Sequence, residues 1–156
     1  MNETIGIAAD HGGKTLKTLV TEFLKSQGQT VQDFGADPSL GSVDYPDYAA
    51  KLARAVADGT VARGVLICGT GIGMSIAANK IAGVRAALIW DEFTARMSRQ
   101  HNDANIACLG ERVVNHTRAL DFLKIWLDTP FEGGRHGQRV AKITALEGAA
   151  PTQRRP

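Results

Sequence analysis

The order of hydrophobic segments along the chain predicts an α/β protein with a five-stranded, mostly parallel sheet. Short apolar runs of strand length alternate five times with segments in which apolar residues recur at helical spacing. Strands that are each followed by a helix need right-handed crossovers, which give a parallel sheet with helices on both faces. The 156 residues, of which 44% are hydrophobic and 22% charged, suit one domain with a sizeable core.

The predicted strands are apolar runs that end at turn or glycine signals: residues 5–9, 30–34, 64–67, 84–90 and 105–109. The predicted helices carry an apolar face: residues 14–26, 48–57, 74–80, 92–100, 117–127 and 137–146. The segment TPFEGGRH sets the last helix apart from the others. We assign residues 1–147 to a single domain and expect the tail at 148–156 to be disordered.

The stretch GVLICGTGIGMSIAANK joins a strand, a glycine loop and a helix. Gly69, Gly71 and Gly73 allow backbone angles with φ > 0 and let amides converge on an anion, and the helix adds the positive end of its dipole. The sequence therefore predicts a site for phosphate or an oxyanion after the third strand.

Cys68 stands between this strand and the loop. Thiols beside helix N-termini ionise readily and can act as a base or nucleophile, although a cysteine that ends a buried strand is otherwise a small core residue. Cys108 lacks a glycine loop and is expected to be a core residue. The hydroxyl of Thr70 either binds a ligand or stabilises the turn, and Ser75 is expected to cap the helix.

A dinucleotide site is the main alternative for the glycine loop. Gly69 and Gly71 open a helix after a strand, and Asp91 ends the next strand at about the spacing of ~20 residues that such sites show. The third glycine of G-x-G-x-x-G would be residue 74, which is Met. The loop spacing therefore disfavours this alternative without removing it.

Polar residues also follow the other strands, where parallel sheets bind their ligands. Asp10 and His11 form either a catalytic or sugar-binding pair, or a helix cap with an incidental histidine. The loop at 35–47 is long enough to be a lid or a pocket wall. His101 and Asn102 interrupt a helix end, where a histidine is often only a partner of the helix dipole.

Charge and cysteine content exclude several classes of protein. The formal net charge of +2 and the absence of nucleic-acid motifs give no reason to expect DNA or RNA binding. Two cysteines without C-x-x-C spacing suggest neither a disulfide framework nor a zinc cluster, and the four histidines lack metal-ligand spacing. No basic leader or membrane-length apolar run is visible, so a cytoplasmic location is expected.

Arg135 and Arg139 lie about one helical turn apart in the late basic segment. This spacing suits a phosphate clamp, and solvated helix faces show it as well.

Taken together, these motifs closely resemble those of the ribose-5-phosphate isomerase B family, which includes the galactose-6-phosphate isomerase subunits. Six segments occur in the family's order: AADHGG at 8–13, DYPDYA at 44–49, ICGTGIGMSIAANK at 67–80, SRQHND at 98–103, GERVV at 110–114 and GGRHGQRV at 133–140. The resemblance implies a Rossmann-like three-layer α/β/α sandwich. It also implies a homodimer, sometimes paired into a tetramer, with active sites shared between subunits and a C-terminal helix that reaches the partner.

The resemblance further implies catalytic roles. Cys68 would be the base that moves a proton between C1 and C2 of the sugar, with Thr70 beside it. His101 would open the furanose ring, and Asp10 would bind the sugar hydroxyls or help to deprotonate them. Some members use a glutamate of the glycine loop as the base, but that position is Met74 here, which implies the cysteine branch.

The remaining implied residues bind the substrate, with no cofactor and no metal. The backbone around Gly69, Gly71, Gly73 and Ser75 would hold the enediolate. The phosphate candidates are His11, Arg112, Arg135 and Arg139. The pocket would be lined by Tyr45 and Asn102.

The sequence thus predicts an aldose-ketose isomerase of a sugar phosphate, with ribose 5-phosphate as the expected substrate and ribulose 5-phosphate as the product. The same chemistry on a hexose or tetrose phosphate is one alternative. A non-catalytic module that binds a nucleotide or phosphosugar is the other. No nucleic-acid or membrane partner is expected.

Overall fold

The computed structural model describes residues 3–37 and 39–148, so the predicted tail from 149 onward lies outside the described residues. Its five strands are β1 (Thr4–Ala9), β2 (Thr30–Asp33), β3 (Arg63–Cys68), β4 (Ala86–Leu88) and β5 (Ile106–Gly110). All pairings are parallel, in the order β2-β1-β3-β5-β4. The predicted α/β fold is therefore confirmed.

Six helices accompany the strands: α1 (Lys14–Ser26), α2 (Tyr45–Ala57), α3 (Ile72–Ala78), α4 (Glu92–Gln100), α5 (His116–Asp128) and α6 (Arg135–Ala145). Helices α1, α4 and α5 pack on one face of the sheet and α2 and α3 on the other, which gives three layers with two apolar cores. No helix among residues 3–37 and 39–148 is long and apolar enough to cross a membrane.

Strand residues alternate between the two cores. Val65 and Ile67 of β3 face α1 and α5, while Leu66 and Cys68 face α2 and α3. Because helices cover both faces, β3 has no polar side chain after Arg63, as expected of a central parallel strand.

Most predicted boundaries shift by one or two residues, and the differences at β4, α2 and α3 have clear physical reasons. Strand β4 spans only three residues, since it is an edge strand that pairs with β5 alone. Helix α2 begins at Tyr45 because Pro46 occupies its first turn, where a missing N–H costs nothing. The prediction that Ser75 caps α3 is wrong: α3 begins at Ile72 after Gly71, and the Ser75 hydroxyl donates to the carbonyl of Ala86 at 3.2 Å.

Candidate active site

The candidate site begins at the switch point of the sheet, between the carboxyl ends of β1 and β3. Strand β1 continues toward α1, on one face, and β3 toward α3, on the other, so their loops part here and leave a crevice. The loop after β1 lies directly against the glycine loop. A Cβ on Gly12 would stand 3.2 Å from the amide nitrogen of Gly69, which shows how closely the two backbones approach.

Cys68 is the last residue of β3 and is 5% exposed. The Gly71 amide donates a hydrogen bond to its Sγ at 3.1 Å. Gly71 has φ +77°, and a Cβ there would meet the Leu88 side chain and the Leu109 carbonyl, so only glycine fits. A donor aimed at sulfur stabilises the thiolate, which is the form that acts as a base or nucleophile.

The glycine loop is held in place from β5. The amide of Glu111 donates to the Cys68 carbonyl at 2.9 Å, and the amide of Arg112 donates to the Gly69 carbonyl at 3.0 Å. A Cβ on Gly110 would lie only 2.6 Å from the carbonyl of Thr70, so β5 and the loop pack backbone to backbone. These contacts fix the position of the loop relative to Cys68.

Several amides of the loop have no protein acceptor within residues 3–37 and 39–148: those of Gly69, Thr70, Gly73 and Met74. The Ile72 amide donates to the Thr70 hydroxyl at 3.3 Å, which supports the turn-stabilising reading of Thr70. The Ser75 amide is engaged by the carbonyl of Gly71 at 3.1 Å. Free N–H groups at the start of α3 can therefore receive an oxyanion, but the amide of Ser75 is already used.

Two large side chains flank the loop. The ring of Tyr45 lies so close to Gly73 that a Cβ there would be 2.5 Å from it. The guanidinium of Arg112 covers Gly69, with its nitrogen 3.3 Å from the position of a Cβ. An aromatic wall and a cation thus border the entrance to Cys68.

The first loop contributes Asp10 and His11. Asp10 is 7% exposed and accepts the Gly12 amide at 2.8 Å, so it caps the short helical turn that follows β1. The exposed His11 accepts the Val43 amide through Nδ1 at 3.3 Å, which leaves Nε2 to carry the proton in the neutral ring. Residues 39–44 therefore lie against the site, as the predicted pocket wall requires.

The structure removes Asp91 from the candidates for ligand binding and keeps Cys108 in the core. Asp91 accepts the Thr94 amide and hydroxyl, each at 2.7 Å, and forms a capping box at the start of α4. These bonds lower the pKa of its carboxyl, and they occupy the group that the dinucleotide alternative needs for ribose. Cys108 is fully buried, and burial together with nearby Cys68 raises the pKa of its thiol, so it stays a neutral core residue as predicted.

A second group of predicted site residues lies near the amino end of β4, at the other end of the strands from Cys68. His101 follows the last residue of α4, and the Asn102 carbonyl accepts from Arg85, just before β4 begins. The Glu132 amide donates to the Gln100 carbonyl at 3.0 Å. This bond brings the start of α6, with Arg135 and Arg139, to the same end of the sheet.

This second group includes a cluster that the sequence did not single out, formed by His101, Glu132 and His136. The two imidazole rings stack with centroids 4.1 Å apart and planes 5° apart. A Glu132 carboxylate oxygen lies 3.5 Å from Nε2 of His136 and 3.8 Å from Nε2 of His101. His136 is only 3% exposed, so this residue does not lie on the solvated helix face that was one of the two alternatives for the segment.

Burial lowers the pKa of His136, and the charges of His101, Arg135 and Arg139 lower it further, while Glu132 opposes them. The three ligand atoms of the cluster lie within 4.8 Å of one another, close enough for a metal ion. Imidazoles bind metals in the plane of the ring, however, and two parallel stacked rings do not aim at one point. The geometry therefore favours a ring stack beside a carboxylate over a metal centre.

Within one chain, the two groups lie toward opposite ends of β3. Cys68 ends β3, whereas the segment after His101 and Asn102 reaches the beginning of that strand, where the Gly64 amide donates to the Asn105 carbonyl. Six extended residues span about 17 Å, so the length of the strand separates the groups.

Comparison with known proteins places this geometry in context. The model of the Ribose/Galactose Isomerase family matches residues 5–143. A putative sugar phosphate isomerase of Bacillus subtilis, YwlF, is 50% identical and aligns over 92% of this chain and 96% of its own. Ribose-5-phosphate isomerase B of Escherichia coli is 48% identical, with 92% and 95% covered.

Two further matches bear on substrate and fold. D-erythrulose-4-phosphate isomerase of Pectobacterium atrosepticum is 44% identical over 92% of this chain and 95% of its own. The solved structure of Clostridium thermocellum ribose-5-phosphate isomerase B superposes with a TM-score of 0.89 at 53% identity, covering 92% of this chain and 97% of that one.

Proposed function

Because the chain belongs to the ribose/galactose isomerase family and is an aldose-ketose isomerase of sugar phosphates, we propose that it interconverts ribose 5-phosphate and ribulose 5-phosphate with Cys68 as the base. The observation that carries the proposal is the Gly71 amide donating to Cys68 Sγ beside the unoccupied amides of the glycine loop. A single subunit supplies the groups that this proposal assigns to the proton transfer itself.

The proposed reaction moves one proton between neighbouring carbons. The Cys68 thiolate takes the proton from C2 of the open aldose, the electrons of the C–H bond form the C1–C2 double bond, and the carbonyl oxygen becomes negative. The amides of Gly69, Thr70 and Gly73 stabilise this oxygen. The O2 hydroxyl proton then moves to O1 and the sulfur-bound proton moves to C1, which gives the C2 carbonyl and the new C1–H bond. Tyr45 forms one wall of the pocket.

A second copy of the chain would complete the site. His101, Asn102, Arg135 and Arg139 lie a strand length away from Cys68 in their own chain, so their proposed roles require them to come from a partner. Large apolar side chains are exposed in the segments that follow β3, β4 and β5 and offer a surface for that partner: Ile72, Ile76, Trp90, Phe93 and Val113. A homodimer with two shared sites satisfies both observations.

The phosphate would then bind between subunits. His11 and Arg112 of one subunit border the Cys68 loop, and Arg135 and Arg139 of the other are exposed cations one helical turn apart. Binding a remote phosphate fixes the reacting carbons relative to the base, so these cations affect turnover as well as affinity. Two free cysteines fit the reducing cytoplasm as the place of action.

A tetrose phosphate is the second candidate substrate, because one relative at 44% identity is named D-erythrulose-4-phosphate isomerase. Residues 39–44 contact His11 and Lys14, so the length of sugar that fits depends on this wall. The purified protein assayed against a panel of tetrose, pentose and hexose phosphates tests the choice. We expect ribose 5-phosphate to give the highest kcat/KM; a higher value for another aldose phosphate would overturn the substrate assignment.

A further inference from the structure

We infer that Glu132 and His136 are positioning residues for His101, which they hold by a carboxylate contact and a ring stack so that it can serve as the acid that opens the sugar ring. The inference rests on the proposed function, in which His101 opens the furanose. Neither Glu132 nor His136 has a part in the proton transfer assigned to Cys68.

The cluster restricts His101 on two sides. One face of its imidazole is covered by the ring of His136, which is almost fully buried and therefore provides a fixed surface. The edge that carries Nε2 faces the Glu132 carboxylate, and Glu132 is itself anchored to the end of α4 through the Gln100 carbonyl. His101 retains 37% side-chain exposure, so it remains accessible to a ligand.

The charges around the stack disfavour a proton on His136. His136 faces His101, Glu132 and the guanidinium of Arg135, whose Nε lies 3.4 Å from Nε2 of His136, and Arg139 lies one turn further along α6. Burial and the neighbouring cations keep His136 neutral, because they lower its pKa. His136 is therefore the neutral member of the stack, and the Glu132 carboxylate lies 3.8 Å from Nε2 of the more exposed His101.

Ring opening needs such an acid. The C1–O4 bond of the furanose breaks, its electron pair passes to O4, and O4 takes a proton from the imidazole of His101. The C1 hydroxyl gives up its proton, for which the carboxylate of Asp10 on the other subunit is the acceptor, and C1 becomes the aldehyde. The step consumes no net proton and needs no other reactant.

The furanose ring of pentose phosphates also opens slowly in water without an enzyme. An enzyme that cannot open the ring acts only on the open fraction, so its velocity stops rising with enzyme concentration once spontaneous opening limits supply. We would compare wild type, Glu132→Gln and His136→Ala by rapid quench with ribose 5-phosphate over a wide range of enzyme concentration. His136→Phe, which keeps a flat ring for the stack, and Glu22→Gln on the exposed face of α1 serve as matched controls.

Wild type and Glu22→Gln should show velocities proportional to enzyme concentration. Glu132→Gln and His136→Ala should lose roughly tenfold or more at low concentration and reach a plateau at high concentration, with His136→Phe less affected than His136→Ala. Glu132 is half exposed, so its Gln variant is expected to fold normally. Wild-type velocity in Glu132→Gln, or a lower velocity that stays proportional to enzyme, would overturn the inference; a wild-type protein inactive on ribose 5-phosphate would instead overturn the proposed function.

Discussion

The amide of Gly71 donates a hydrogen bond to Sγ of Cys68 across a 3.1 Å distance. The bond depends on the left-handed conformation of Gly71, which turns the chain from the end of β3 into α3 and directs the amide back toward the thiol. The same turn leaves neighbouring amides free. A single backbone conformation thus supports both groups that proton transfer between carbons requires, a base and an oxyanion acceptor.

Replacement of Gly110 by alanine tests whether β5 holds the glycine loop in place. The new methyl group would lie 2.6 Å from backbone atoms of Thr70, which cannot move independently of the loop. We expect a loss of about 1–3 kcal/mol in the free energy of unfolding, as for other overpacked sites, together with a lower kcat. Urea unfolding and steady-state assays measure the two effects.

Gly148→Ala is the matched control, since a methyl group there meets no atom of the described residues within 4 Å. Both properties of this variant should equal those of wild type. Unchanged kcat in Gly110→Ala would show that the position of the loop is not set by β5.

The buried histidine of α6 predicts a dependence of stability on pH. Because the pKa of His136 is lowered in the folded protein, the unfolded chain binds more protons below about pH 6.5, the ordinary value for histidine. The stabilising contribution is therefore complete above pH 6.5 and decreases as the pH falls below it. Urea unfolding between pH 8 and 5 should show a smaller loss for His136→Gln than for wild type; equal losses would contradict the burial argument.

Complementation between inactive variants tests the shared site. Cys68→Ala alone should be inactive and His101→Ala alone should turn over only the open fraction of the sugar, but refolding them together gives mixed dimers with one site that has both side chains. If dimers form at random, half are mixed and half of their sites are intact, so about a quarter of wild-type activity should return. Activity no greater than the sum of the two separate variants would mean that one chain supplies both residues.

The fold could be predicted because the hydrophobic pattern repeats with a clear period. Helices α1 and α4 begin and end where the spacing of apolar residues indicates. The pattern overestimated β4, since buried Val84 donates to the Ile81 carbonyl and not to β5, and Ile89 extends the pairing by one hydrogen bond, to the Cys108 carbonyl. Burial and strand pairing coincide in central strands, but they separate at the edge of a sheet.

The Cys68 half of the site was also predictable, because its residues follow strands directly and glycines mark the loop. The cluster of His101, Glu132 and His136 at the other end of the strands was not predictable. Glu132 and His136 meet His101 only because the chain between α5 and α6 returns to the end of α4, and no local pattern encodes that approach. The spacing of Glu132 and His136 by one helical turn was the available signal, and surface ion pairs show the same spacing.

The base assignment is tested most directly by the turnover of ribose 5-phosphate by Cys68→Ala and Cys68→Ser, measured together with substrate binding by calorimetry. The account predicts that both variants bind the sugar phosphate as wild type does and lose roughly 10²-fold or more in kcat, because a general base contributes that much to the transition state. Turnover near the wild-type value in both variants would contradict the assignment of Cys68 as the base.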